Sequence, residues 1–359
     1  MTTAVELGLI YAIVALGVYL TFRVLNFPDL TVDGSFTAGA GTAGVLIVQG
    51  VNPFLATAAA FVAGAIAGLI TGLLHTKGNI NGLLAGILTM IGLYSINLRI
   101  MGAANVPLLR EDTLFTLLYS NVSRGIGSIA VLLIVALLFK VVIDWYLHTD
   151  AGLALQATGD NEMMIRSFAV STDRQKIYGL MISNGLVAVA GALIAQYQGF
   201  VDIQMGIGLI LVGLASVIVG QAIFGSRVVI QATLAVVLGA VLYRLAIQFA
   251  LNAGLNPNDM KLLSALLVIA ALLLPQWSGF RKFARWRRGL GAGSAGAGLT
   301  NDGAAAASEA TMPERDPNQP PTVATETVAA NGTGGGGVSD AGGAAGTAGG
   351  AGAAGNKGV

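Results

Sequence analysis

Nine stretches of the chain are long and nearly unbroken in apolar character, separated by short polar or basic segments. They lie at residues 5–22, 30–49, 54–74, 82–101, 127–147, 177–198, 206–224, 228–250 and 260–276. Each approaches the ~20 residues a helix needs to cross hydrocarbon. The pattern predicts an all-α membrane protein with about nine transmembrane helices. The second stretch is the weakest, because Asp29 and Asp33 stand at its start and Gly, Thr and Ser fill it. A broken or partly re-entrant segment is expected there, which is tolerable only where protein or a cavity covers the backbone. The first stretch begins almost at Met1 without a basic n-region or a small-residue cleavage site, and so reads as a retained span.

Charge gives the spans a direction. With the N-terminus outside, twelve Lys/Arg fall on the cytoplasmic side, among them Arg23, Lys77, Lys140, Arg166, Arg174, Lys176 and Arg227. Only Arg99, Arg110, Arg124 and Lys261 fall outside. Basic residues favour the cytoplasmic side of short loops, so the expected topology is N-out and C-in. The cluster RKFARWRR at 281–288 is the strongest anchor, with Phe283 and Trp286 at headgroup depth and its charges against anionic lipid. That placement makes it topological, and no nucleic-acid partner is expected.

Composition then divides the chain. Over all 359 residues, 55% are hydrophobic and 10% charged, against about 25% charged in soluble domains. From Gly289 onward there are two basic and six acidic residues and no aromatic one. Such a segment buries too little apolar surface to offset its ordering entropy. The expected organisation is a membrane domain over 1–288 and a disordered, Gly/Ala-rich cytoplasmic tail over 289–359. The chain has no cysteine and only two histidines, His75 and His148. Disulfides and thiolate metal sites are therefore excluded, and neither a metal nor another cofactor is expected.

Small residues recur at the spacing that lets helices approach closely. Gly64, Gly68 and Gly72 make two GxxxG steps, and Gly82 and Gly86 a third. In lipid, close backbone approach at small residues holds helices together. The seam has two readings, packing inside one subunit and a dimer interface. The hairpin at 64–99, with a basic turn at Lys77, also echoes the hairpin at 212–248, with a basic turn at Arg227. Spans 2–5 and 6–9 would then form two parallel four-helix repeats, a known transporter device.

No catalytic constellation appears. GxxxxGK[ST], GxSxG and HExxH are all missing, so the chain is not expected to be an enzyme or to hydrolyse ATP itself. The longest cytoplasmic loop, 148–176, holds the most informative polar stretch. Within it, Gly159, Asp160 and Asn161 precede a short amphipathic helix. Asp160 is a plausible N-cap, Glu162 sits in the first turn where the dipole favours it, and Met164, Ile165 and Phe168 form one apolar face. Such a helix either plugs into a partner groove or lies on the membrane surface.

Resemblance decides between these. The loop resembles the coupling segment of permeases in the branched-chain amino acid and ribose family of ABC importers. Leu25-Asn26-Phe27-Pro28-Asp29-Leu30 with Gly34, Gly39 and Gly41, HTKGNINGLLAGILTMIGLYSINLRIMG at 75–102, AVAGALIAQYQG at 188–199 and GLASVIVGQAIFG at 213–225 are similar to that family in order and spacing. The stretch at 75–102 resembles the subgroup paired with binding lipoproteins of the tryptophan/tyrosine type. The likeness covers about residues 5–280 and leaves out the tail. It implies a second permease copy in a homodimer, a cytoplasmic ATP-binding subunit gripping the loop helix, and an extracytoplasmic solute-binding lipoprotein. It also implies a bacterial-type plasma membrane.

Polar residues inside spans are the default pathway candidates. They are Asn97 and Arg99 in span four, Asn184, Gln196 and Gln198 in span six, and Arg244 and Gln248 in span eight. Asp29 and Asp33 are expected to cap a helix or to pair with Arg23. The competing function is a secondary transporter or channel. The shortage of acidic residues suited to ion coupling speaks against it.

Overall fold

The computed structural model describes residues 2–121, 125–225, 228–254 and 260–273. The basic cluster at 281–288 and the tail from residue 289 lie outside the described residues. A helix occupies each of the nine expected places. These are α1 (Thr2–Tyr19), α2 (Thr31–Val48), α3 (Pro53–Thr76), α4 (Gly82–Met101), α6 (Ile126–Leu147), α9 (Thr172–Gln198), α10 (Leu209–Phe224), α11 (Val229–Asn252) and α12 (Met260–Leu273). A short α5 (Leu114–Asn121) precedes α6, and α7 (Asp150–Asp160) and α8 (Glu162–Ser167) fill the long loop.

Six of the helices are long and apolar enough to cross a membrane: α1 with its extension to Val24, α3, α4, α6, α9 and α11. Asp33 and the Gly, Ser and Thr residues of α2 dilute its apolar character, while α10 has only 16 residues and α12 only 14.

Helix α1 is apolar all round, as a helix enclosed by others must be. Its residues from Gly8 to Leu20 are buried without interruption. Its last turn, Leu20–Val24, widens into a π-helical turn. Beside it, α9 is buried along most of its length and packs on α1, α2 and α3. The glycine steps of α3 face α9 within the same chain. A Cβ on Gly64 would stand 2.3 Å from the Asn184 carbonyl oxygen, and one on Gly68 2.2 Å from that of Leu180. The seam is therefore used inside the subunit. Across the α2–α9 contact, Gly39 presses on the Ala188 backbone and Gly191 on that of Phe36.

Three expectations need correction. The chain is not purely helical: β1 (Asn105–Pro107) pairs antiparallel with β2 (Phe200–Asp202), with Val106 opposite Val201. Strands of three residues are too short for a period-two signal. The loop at 148–176 holds two helices, and α9 begins at Thr172, five residues before the apolar run, because Arg174 is exposed and Lys176 is paired with Glu162 on its first turns. Finally, the seventh stretch becomes helical only at Leu209, three residues late.

Candidate functional site

The loop between α6 and α9 is built on a close approach. Gly159, near the end of α7, lies so near the π-turn of α1 that a Cβ there would be 1.9 Å from the Val24 carbonyl oxygen. No other residue fits, so α7 is seated on the C-terminal end of α1. Asp160 is the last residue of α7 rather than a cap. The cap of α8 is Asn161, which turns extended and accepts the Met164 N–H at 3.0 Å. Extended backbone at the cap with a side-chain oxygen on the third amide is the N-cap geometry.

Glu162 then straps α8 to α9. Its carboxylate accepts from Lys176 Nζ at 2.8 Å on both oxygens, from Arg166 Nη2 at 2.7 Å and from Thr172 Oγ1 at 3.2 Å. Partial burial pushes the Glu162 carboxyl upward, but Lys176 above all, then Arg166 and Thr172, hold it below its ordinary value. Lys176 also lies 3.5 Å from Nε2 of His75, whose Nδ1 is 2.9 Å from the Ile80 carbonyl oxygen. The strap thus reaches the α3–α4 turn.

With that face held down, the other points outward. Met163 is 85% exposed, Met164 48% and Phe168 69%. Ile165, grouped with Met164 and Phe168 by its spacing, is instead buried at 9%. On a six-residue helix the strap sets the roll, and Met163 takes the outward place of Ile165.

The polar residues within the spans separate into knots and a cleft. Asn184 is fully buried. Its Nδ2 donates to Asp29 Oδ2 at 2.7 Å and to the Leu180 carbonyl at 3.0 Å, while its Oδ1 accepts from Ser35 at 2.7 Å. The other Asp29 oxygen accepts the Thr31 N–H at 2.9 Å and so caps α2. Asp29 therefore caps as expected, whereas Arg23 is exposed and pairs with neither aspartate. Gln196 is a second knot, donating to Thr57 and accepting the Leu114 N–H. Gln198 and Arg99 are exposed, and Gln248 bonds to Asn252. The Arg244 guanidinium lies 3.9 Å from the centre of the Tyr11 ring, a cation–π contact, and its Nε is buried without a partner.

Asn97 leads to the cleft. Its Nδ2 donates to the Gly34 carbonyl at 3.1 Å, and it lines a cavity of about 280 Å³ with Asp33, Thr37, Tyr94, Ser95 and Ile207. Gly34 packs against Met90 and Leu93, and Gly41 against Met101. Asp33 therefore stands beside the middle of α4. The chain after β2 reaches the same depth: Val201 touches Gly44, but Gly206 touches Asp33. Residues 203–208 thus descend along α2, and α10 begins in the interior of the helix bundle. The Asp33 carboxylate accepts the N–H groups of Gly208 at 2.8 Å and Ile210 at 2.9 Å. It satisfies donors that the start of α10 leaves free.

A family model described as "Branched-chain amino acid transport system / permease component" matches residues 1–273. The chain belongs to this permease family. The permease is 43% identical over 265 residues to a "Tyrosine transport system permease protein" of Clostridioides difficile, covering 74% of this chain and 88% of that one. It is 33% identical over 276 residues to an uncharacterized protein of Rickettsia prowazekii, covering 76% and 96%. It is 24% identical over 274 residues to a probable branched-chain amino acid transport permease of Methanocaldococcus jannaschii, covering 73% and 85%. The protein is the membrane-spanning, multi-pass transport subunit of an ATP-binding cassette importer.

Two of the permease's features were hidden from residue spacing. Asp33 bonds to backbone 175 and 177 residues away, a relation no local pattern carries. Tyr94 and Ser95 are flanked by Leu93 and Ile96 and look like ordinary span residues. Their exposure at depth beside a carboxylate is the missed signal.

Proposed function

We propose that this permease imports a small amino acid, an aromatic one such as tyrosine fitting best, by alternating access driven by a separate ATPase. Nine crossings, N-out and C-in, put α7 and α8 in the cytoplasm, in keeping with twelve basic residues against four. The two four-helix halves, spans 2–5 and 6–9, are taken as parallel repeats. Two copies enclose the pathway as a homodimer. A solute-binding lipoprotein delivers at the far end, where β1, β2 and α5 lie. The tail after residue 288 takes no part in transport.

The observation that carries the coupling role is the outward face of α8. Met163, Met164 and Phe168 are exposed on a helix whose opposite side is fixed by Glu162 and whose neighbour α7 is seated on α1. Flexible methionine and a ring on a short rigid helix suit a partner groove. ATP closes the ATPase dimer and draws the two docked helices together. Through Gly159 and Val24 that displacement reaches α1, biasing the pathway between its two open states.

The test is co-purification of the ATPase subunit together with ATP-driven uptake of labelled L-tyrosine in proteoliposomes. Met164→Asp with Phe168→Asp is expected to abolish both while the permease still folds. Ile165→Asp, which buries a charge, is expected to lower the yield of folded permease instead. A double variant that retained its ATPase and its uptake would overturn the coupling role.

A further inference from the structure

The cleft beside Asp33 carries an inference that rests on the permease reading and goes a step past it. Its wall is apolar where Ile91, Ile203 and Ile207 line it, and its polar groups are the Asp33 carboxylate, the Asn97 amide and the hydroxyls of Thr37, Tyr94 and Ser95. No Lys, Arg or His lines it. The Asp33 carboxylate accepts backbone N–H groups at the start of α10, and with about four lone-pair sites it keeps room for a further donor.

Asn97 supplies the independent observation. It is 1% exposed, and its Oδ1 has no partner. Its orientation is fixed, because Nδ2 donates to the Gly34 carbonyl and a flipped amide would set two acceptors face to face. A buried amide oxygen without a donor, in a wall shared with a carboxylate, calls for a ligand rich in N–H.

Exposure gives the cleft its side. Tyr94 is 46% exposed and Ser95 is also exposed, both in the middle of α4 next to Asp33. Polar groups at that depth face a water-filled path or a protein neighbour rather than lipid tails. The non-helical chain before α10 is likewise permissible only where protein covers it or it lines a cavity.

The geometry points to this cleft as a substrate site in the permease itself: it binds the ammonium group of the transported amino acid between the Asp33 carboxylate and the Asn97 amide oxygen, with the side chain against Ile203 and Ile207. The solute's carboxylate is not recognised here, because no basic group lines the wall. Selectivity for an amine would then be imposed twice, once by the binding protein and again inside the membrane.

The experiment uses the detergent-solubilised permease–ATPase complex without its binding protein, and two probes of the same ring. Tyramine keeps the ammonium and lacks the carboxylate; 3-(4-hydroxyphenyl)propionate does the reverse. Tyramine is expected to bind and the propionate not. Asp33→Asn is expected to weaken tyramine by about 10- to 100-fold, the range of one charge-assisted hydrogen bond, and to erase the discrimination between the probes. Asp33 also holds the first turn of α10. If Asp33→Asn does not fold, Asn97→Leu, which leaves the carboxylate in place, must weaken tyramine about tenfold. Equal binding of both probes to the wild type, or discrimination that survives the folded variants, overturns the site. ATP-driven uptake by the complete complex is measured in parallel: its absence would sink the importer reading, whereas its presence without discrimination would sink only this one.

Discussion

Asn184 is the residue at which a structural role and a transport role make opposite predictions. Replacing it by alanine removes the donor to Asp29 Oδ2 and the acceptor of the Ser35 hydroxyl, and all three residues are fully buried. A lost bond to a charged group costs about 1.5–3 kcal/mol and a neutral one about 0.5–1.5, with further loss from the cavity. Interhelical hydrogen bonds in membranes average only about 0.6 kcal/mol, because the separated helices find other partners. The fully buried Asp29 carboxylate, left with the Thr31 N–H, has few alternatives, so we expect about 2–4 kcal/mol. At roughly 2–4 °C per kcal/mol for a chain of this size, the melting temperature in detergent should fall by about 4–16 °C. Asn184→Asp should be at least as harmful, since it faces a second carboxylate 2.7 Å away. Adding Asp29→Asn to it restores one donor–acceptor pair and should recover part of the loss. In the folded fraction of Asn184→Ala at low temperature, KM for uptake should be unchanged. An alanine variant that melts within 2 °C of wild type but raises KM severalfold would refute the knot and return Asn184 to the pathway.

The remaining predictions concern packing and the loop. Gly68→Ala should prevent stable folding, since its Cβ would sit 2.2 Å from a backbone oxygen, whereas Gly92→Ala meets nothing within 4 Å and should be neutral or stabilise α4 by up to about 1 kcal/mol; similar melting temperatures for the two would contradict the α3–α9 seam. The Glu162 strap should be pH-dependent in one direction. Its folded carboxyl is lowered, so its stabilisation is complete above the ordinary carboxylate value of ~4.3 and is lost as pH falls through the lowered folded value. Amide exchange over residues 162–172, corrected for the intrinsic rate, should therefore be protected at pH 7 and lose that protection at acid pH, below the lowered folded value. Glu162→Gln should be equally unprotected at both, and wild-type-like protection in that variant would remove the strap.

Much of this architecture was readable because lipid imposes a coarse code. A run of about twenty apolar residues has few alternatives to a helix, so the places of α3, α4, α6 and α11 followed from composition alone. The glycine spacing of α3 announced a close contact but not its partner, because a GxxxG seam serves a neighbour in the same chain as well as one in another. What stayed hidden was set by distant groups. The roll of α8 depends on Lys176 and Thr172, so a six-residue helical wheel put Ile165 on the wrong side. The late start of α10 depends on Asp33, a single residue in another helix.

The weak second stretch, expected to be broken or partly re-entrant, is instead the unbroken helix α2. Gly, Ser and Thr make α2 a poor span, yet they let α9 and α4 approach it from two sides: Gly39 meets Ala188, Ser35 meets Asn184 and Gly34 meets Leu93. A helix enclosed by other helices does not need apolar residues on every face, and the relaxed demand leaves room for Asp29 and Asp33. One aspartate binds α2's first amide and Asn184 and is fully buried. The other holds the start of α10 and lines the cleft. Two carboxylates four residues apart thus acquire different roles from what surrounds them. Starting α10 beside Asp33 gives that carboxylate backbone donors inside the bundle, which a charge simply buried there would lack.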